Sequence, residues 1–563
     1  MKVTKPIAMA AVLACLILAS GAFPQFIKIS SQASIVEAPS VTSPPESFFK
    51  IIEKRLSRSG RGNSGAAADE NEVRIQNVAA EMKIYRDFYK KHIDVRGMPV
   101  VASAEVADLA LQRTYDIVTH MLAGRPDVVK AMVDQGMYLI VIGKDQVYTD
   151  MPDYRNSPNP DFQNERVRGT GGLPTSFGEE NLLSLPIDRY DDESIGVHEF
   201  CHAIDSTLSR IDSTWRGRLN AAFQNMRKKG LFYNTYAGSD PAEYWAEIAQ
   251  NYFDNNRINN WNHGPIGRRE QLKAYDPVGY ELCRTTFSLS PEQDWRYSWL
   301  QAQPSVIKPP AKFKIDPYYS KFTWAREFTV IGREVSDEAL LHANETVRRM
   351  FAYRHDILKA FIADGIKLVV LGPKEHVSDL PEYKKISDPN KSVDVLGRYL
   401  NYSPQLKLLV VSQENVLANP NDLYAGANQV IRVFADAIYK VTGVRPEDPS
   451  FEKRPRGIWQ QYELRVQRLD VRFGNKVKEL YEKAMADKKW QGTGAVTDCA
   501  AYWTEGVLAY FDALGQEDTP VGASHPINTR EKLKEYDPDL YGLVNETMAY
   551  ETQVDWRYQP YKR

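Results

Sequence analysis

The segment Val197-His198-Glu199-Phe200-Cys201-His202-Ala203-Ile204-Asp205 contains two histidines and a glutamate at HExxH spacing. On an α-helix, residues four apart share a face. Both imidazoles can then reach one metal ion, with Glu199 beside it. A catalytic zinc takes three protein ligands and keeps one position open for water. A neighbouring carboxylate can accept the proton of that water. Val197, Phe200, Ala203 and Ile204 make the rest of the helix apolar, so the polar trio does not read as a solvated face. Burying such groups without partners costs several kcal/mol, and a metal is a natural partner for them.

A third ligand must come from elsewhere. The segment Tyr236-Ala-Gly-Ser-Asp240-Pro241-Ala242-Glu243-Tyr244-Trp245-Ala246-Glu247 offers two candidates. Asp240-Pro241 reads as a helix start, and Glu243 and Glu247 then lie one turn apart on one face. Spacing alone leaves both open. Asp205, three residues after His202, can orient a ligand imidazole or serve as a cap or surface charge. Cys201 reads as packing, because a fourth protein ligand would close the site to water. Glu179 and Glu180 precede the helix and are expected to border the cleft. The Arg168-Gly-Thr-Gly-Gly172 stretch lacks phosphate-loop spacing and reads as a loop only.

HEFCHAID, followed about forty residues later by YAGSDPAEYWAE, resembles the zincin group that includes the anthrax lethal factor peptidase domain, the Mlc titration factor and the Pro-Pro endopeptidases. The resemblance covers mainly residues 190–255. In that group a tyrosine stands seven residues before a ligand glutamate, as Tyr236 stands before Glu243 here. The resemblance implies one Zn2+ per chain held by His198, His202 and Glu243. It also implies Glu199 as general base and Tyr236 as donor to the tetrahedral oxyanion. The expected activity is metalloendopeptidase hydrolysis of a peptide or protein. The other readings are a wall-associated binding module with a vestigial zinc site, and a zinc hydrolase of a non-peptide amide.

The elements that must position these residues follow from periodicity. A helix is expected over about 104–123 and another near 126–135, then an apolar strand at 137–143. The glycine-rich loop leads to a strand-like run near 175–186, with helices from 192 onward. Helices with a few non-alternating strands indicate an α+β fold. The pattern then recurs. RPDVVKAMVDQG (125–136) matches RHDILKAFIADG (354–365), EYWAEIAQNYFD (243–254) matches AYWTEGVLAYFD (501–512), and DWRY (294–297) recurs at 555–558. This predicts two tandem zincin-like domains from an internal duplication. In the second copy His198 falls on Arg432, Glu199 on Val433, His202 on Asp436, Tyr236 on Gly494 and Glu243 on Ala501. The second copy is therefore expected to be inactive and metal-free, with Arg432 and Asp436 paired in the old site.

With 563 residues, more than one core is expected. Residues 1–22 read as an export signal, with Lys2 and Lys5 before an apolar run and cleavage after Ala22; a lipoprotein cut at Cys15 is the weaker reading. The expected boundaries are a flexible linker over 23–80, the active copy over 81–303, a linker over 304–313 and the inactive copy over 314–563. An insertion at 448–474, holding Trp459 and Tyr462, reads equally as a binding surface or a packed helix. Net charge is −2, which gives no bulk attraction to nucleic acid, and the mature chain has no stretch fit to span a membrane. The expected location is outside the cytoplasm. Cys201, Cys283 and Cys499 are too few for a disulfide scaffold.

Overall fold

The computed structural model describes residues 38–59, 68–158, 160–190, 193–232, 235–256, 263–297, 305–352, 354–385, 397–422, 427–442, 473–515, 527–548 and 556–560. The expected export signal, Cys15 and Ala22 included, lies outside these residues, as do Trp459 and Tyr462 and nearly all of the insertion. Among the described residues no helix is long and apolar enough to cross a membrane.

The fold is mixed, with helices packed on two five-stranded sheets. In the first sheet β1 (Lys91–Val95) and β2 (Met98–Ala102) form an antiparallel hairpin. Strands β3 (Leu139–Ile142) and β5 (Thr175–Gly178) continue it in parallel, and β4 (Gly169–Thr170) closes the edge antiparallel to β5. In the second, β6 (Lys321–Ala325), β7 (Phe328–Gly332), β8 (Lys367–Leu371), β10 (Leu408–Ser412) and β9 (Leu400–Ser403) lie in the corresponding order with the corresponding directions. The inner strands are buried on both faces, which is why Leu-Ile-Val-Ile and Leu-Val-Val-Leu read as unbroken apolar runs.

One face of the first sheet packs on helices Asp108–Met121, Pro126–Asp134, Ile195–Ile211 and Pro241–Tyr252 in a single apolar core. Phe48, Phe49 and Ile52 of helix Glu46–Ser59, with Tyr85 of helix Ala68–Phe88 and Tyr89 just past its end, cover the other face. Within the flexible linker expected over 23–80, the described residues include helix Glu46–Ser59 and the start of helix Ala68–Phe88, and the apolar face of the first seals a sheet that would otherwise be wet. The linker expected over 304–313 is likewise built in. Ile307 pairs with Phe322, and the Phe313 ring stacks on that of Phe322. The described residues form one compact unit.

Candidate metal site

Helix Ile195–Ile211 carries the HExxH residues, and its first turn is pinned from outside. The Ser194 hydroxyl caps it by accepting from the Val197 amide at 3.3 Å. The Asn181 side chain accepts from the Ile195 amide at 2.8 Å and donates to the Glu193 carbonyl at 2.8 Å. Helix Pro241–Tyr252 starts where Asp240-Pro241 predicts, with Asp240 accepting from the amides of Ala242 and Glu243. The two helices are cross-bonded at their centres. The Trp245 indole donates to the Cys201 carbonyl at 2.9 Å, and that ring packs edge-on against Trp215.

This crossing brings His198, His202 and Glu243 together. The two Nε2 atoms lie 3.2 Å apart, and Glu243 Oε2 lies 3.2 Å from His198 Nε2 and 3.5 Å from His202 Nε2. Tetrahedral zinc with bonds of about 2.0–2.1 Å puts its ligand atoms about 3.3 Å apart. Three potential ligand atoms thus stand at the spacing of one tetrahedral face, and the donor set fits the ion. Burial alone pushes the His198 pKa down. Glu243, Glu199 and Glu247 outweigh it and hold the imidazole well above its ordinary value. Burial would raise the Glu243 carboxyl, yet hydrogen bonds from both histidines keep it far below the usual carboxylate range.

Glu199 sits beside the trio and is held up chiefly by burial, against the pull of His198 and His202. The Gly171 amide hydrogen-bonds its carboxylate. The Tyr236 ring lies between two imidazoles, 6.2 Å from the centre of His198 and 6.3 Å from that of His263. Glu247 is turned away from the Nε2 pair. Its oxygens face His263 Nδ1 at 3.0 and 3.1 Å, Asn256 donates to one of them at 2.9 Å, and its closest approach to His198 is 3.9 Å, on the Nδ1 side. Glu193, Glu247 and His263 form the other group of possible metal donors among the described residues. All three side chains are buried, and they knit helix Pro241–Tyr252 to the residues before the HExxH helix.

Several expectations need correction. Asp205 does not orient a ligand. It accepts from the Trp215 indole at 2.6 Å and pairs with Arg216 at 3.1 Å, which fixes the corner after the HExxH helix. The acceptor facing His198 Nδ1 is Gln250 Oε1, at 2.9 Å. Glu179 and Glu180 do not border the cleft. Glu179 accepts from the amides of Ala107 and Lys144, and Glu180 is buried against Arg168. The glycine stretch is not merely a loop, since it forms β4. A Cβ at Gly169 would strike Ile195, and one at Gly171 would land on the His202 side chain. The missing side chains let the edge strand press on the HExxH helix. Gln250 had one sequence signal, its seven-residue spacing from Glu243 along a helix face. His263, sixteen residues from Glu247 and off the helix, had none. The three cysteines are unpaired, and burial pushes the Cys201 thiol well up.

In the second half Arg432 is ion-paired, but with Glu505 at 3.0 Å and not with Asp436. Asp436 bonds Lys440 one turn on, at 2.9 Å. Arg432 reaches across to the neighbouring helix because Glu505 stands there where Glu247 stands in the first half. Among the described residues no group of metal donors lies in this half. In comparisons with known proteins, no family model matches this chain and no curated protein matches it.

Proposed function

We propose that this protein is an exported zinc-dependent peptidase, with His198, His202 and Glu243 holding the metal. The observation that carries the reading is the triangle of two Nε2 atoms and one carboxylate oxygen at 3.2, 3.2 and 3.5 Å, with a fourth polar residue, Glu199, adjacent but outside it. A site built only to bind metal needs no such extra carboxylate. Zinc bound there supplies Lewis acidity toward a carbonyl oxygen and water. Glu199 takes the proton of the attacking water and hands it to the leaving amine. The Tyr236 hydroxyl donates to the negative charge that develops on the carbonyl oxygen. The substrate is a peptide or protein, and the location outside the cytoplasm rests on the sequence of residues 1–22.

We further propose that the second half is a duplicate of the first that has lost this chemistry. Shared strand order supports the reading, and so do buried hydrogen bonds repeated at aligned positions. Trp503 donates to Ala435 as Trp245 does to Cys201. Asn415 accepts from Gln429 as Asn181 does from Ile195. Tyr502 donates to Asp537 as Tyr244 does to Asp276. The test is metal analysis with peptide-library cleavage on the full chain and on Glu199→Gln. One zinc per chain, with cleavage lost in the variant, is the expected result. Two zincs per chain refute the inert second copy, and cleavage at the wild-type rate by Glu199→Gln refutes the mechanism.

A further inference from the structure

The Gln250 carboxamide lies fully buried between the two helices of the site. Its Nε2 is 3.1 Å from the Ser194 carbonyl oxygen, and its Oε1 is 2.9 Å from His198 Nδ1. A carbonyl oxygen can only accept, so the NH2 end of the amide must face Ser194. The oxygen end must then face His198, and an oxygen cannot bond a bare ring nitrogen. His198 Nδ1 therefore carries a proton, which makes Nε2, on the side of His202 and Glu243, the ring nitrogen available to ligate a metal.

From this chain of donors and acceptors we infer that Gln250 is the positioning residue that fixes the tautomer and rotation of His198 for metal binding; the inference rests on the zinc reading above. Other groups near Nδ1 do not fill the role. Glu247 is 3.9 Å away with both oxygens facing His263. Asp205 is committed to Trp215 and Arg216. Ligand histidines generally donate their second N–H to such a partner, and its loss typically weakens metal binding. The chain carries its own comparison. The position aligned with Gln250 is Leu508, fully buried in helix Cys499–Tyr510. There the aligned His198 position is Arg432, which has no tautomer to set. Leucine is thus compatible with the packing of these two helices, which keep the same tryptophan-to-carbonyl bond between them.

The experiment uses the full chain, stripped of metal and titrated with Zn2+ against a chromogenic chelator. Gln250→Leu is expected to bind the same single equivalent about 10–100-fold more weakly, with the thermal midpoint of the metal-free protein within a few degrees of wild type. Gln250→Glu, which keeps an acceptor, should bind within a few-fold of wild type or tighter. Zinc-loaded wild type should show an exchange-protected imidazole N–H proton resonance that Gln250→Leu lacks. Gln250→Met, close in length to glutamine and a poor acceptor, supplies the same comparison if the leucine variant does not fold. Equal zinc affinity in wild type and the apolar variants overturns the inference and leaves the zinc reading intact, as does a Gln250→Glu variant as weak as they are. Wild type that binds no zinc overturns the metal reading itself, and this inference with it.

Discussion

Glu199 and Glu243 carry the same functional group in opposite settings. Glu243 offers an oxygen to both imidazoles, whereas Glu199 is pushed up by burial and tied to the Gly171 amide beside them. Glu199→Gln should therefore keep its zinc and lose hydrolysis by about 10³-fold or more, as measured by kcat/KM on a cleavable peptide. Tyr236→Phe should keep its zinc and lose about 10²-fold, the scale of one oxyanion donor. Glu243→Ala should strip the metal. Glu247→Ala should instead lower stability by about 3–5 kcal/mol in urea unfolding, since it removes the buried carboxylate that both His263 and Asn256 bond. Zinc loss in Glu247→Ala without a stability change would reverse the assignment of the two carboxylates.

At the scale of elements, the site depends on an edge strand only two residues long. Gly169 and Gly171 flank Thr170 at the line where β4 meets the HExxH helix, and neither tolerates a Cβ without a shift. Gly171→Ala should move His202 and weaken zinc binding, while an alanine at the open surface position Gly217 should not. Unchanged zinc affinity in Gly171→Ala would mean the strand yields at no cost to the ligand. The two site helices were legible in the sequence, because apolar spacing and the Asp240-Pro241 start are local signals. The hairpin of β1 and β2 was not. Its turn is Arg96-Gly97, with φ of 54° and 89°, and an arginine in the left-handed region carries none of the warning that asparagine gives. Helix Glu46–Ser59 was hidden by the proline- and serine-rich sequence around it, though Phe48, Phe49 and Ile52 mark its buried face. The role of Asp205 was not legible, since its partner Trp215 opens the next helix, which local periodicity does not link to the HExxH helix.

At the scale of the molecule, the two halves share a core. The loop before the HExxH helix sends Ile187 into an apolar cluster with Phe322, Ile331, Val369 and Leu371 of the second sheet, and Leu185 packs against the same cluster. Lys312, between the halves, donates to the Lys144 carbonyl at 3.0 Å. A fragment ending near residue 304 bares Leu185 and Ile187 a few residues from the Ser194 cap. It should aggregate or melt well below the full chain, and Ile187→Asp in the full chain should lower the thermal midpoint and loosen zinc together. A soluble, monomeric fragment with wild-type zinc affinity would show the second half to be dispensable to the site. The wedge at Ile187 also bears on inheritance. Once one half shields its face with a loop of the other, deleting the second half injures the first, so on the duplication proposed above the pairing acts as a ratchet. A screen for lost hydrolysis should then return lesions at Phe322 or Leu371, in the half without the proposed metal site.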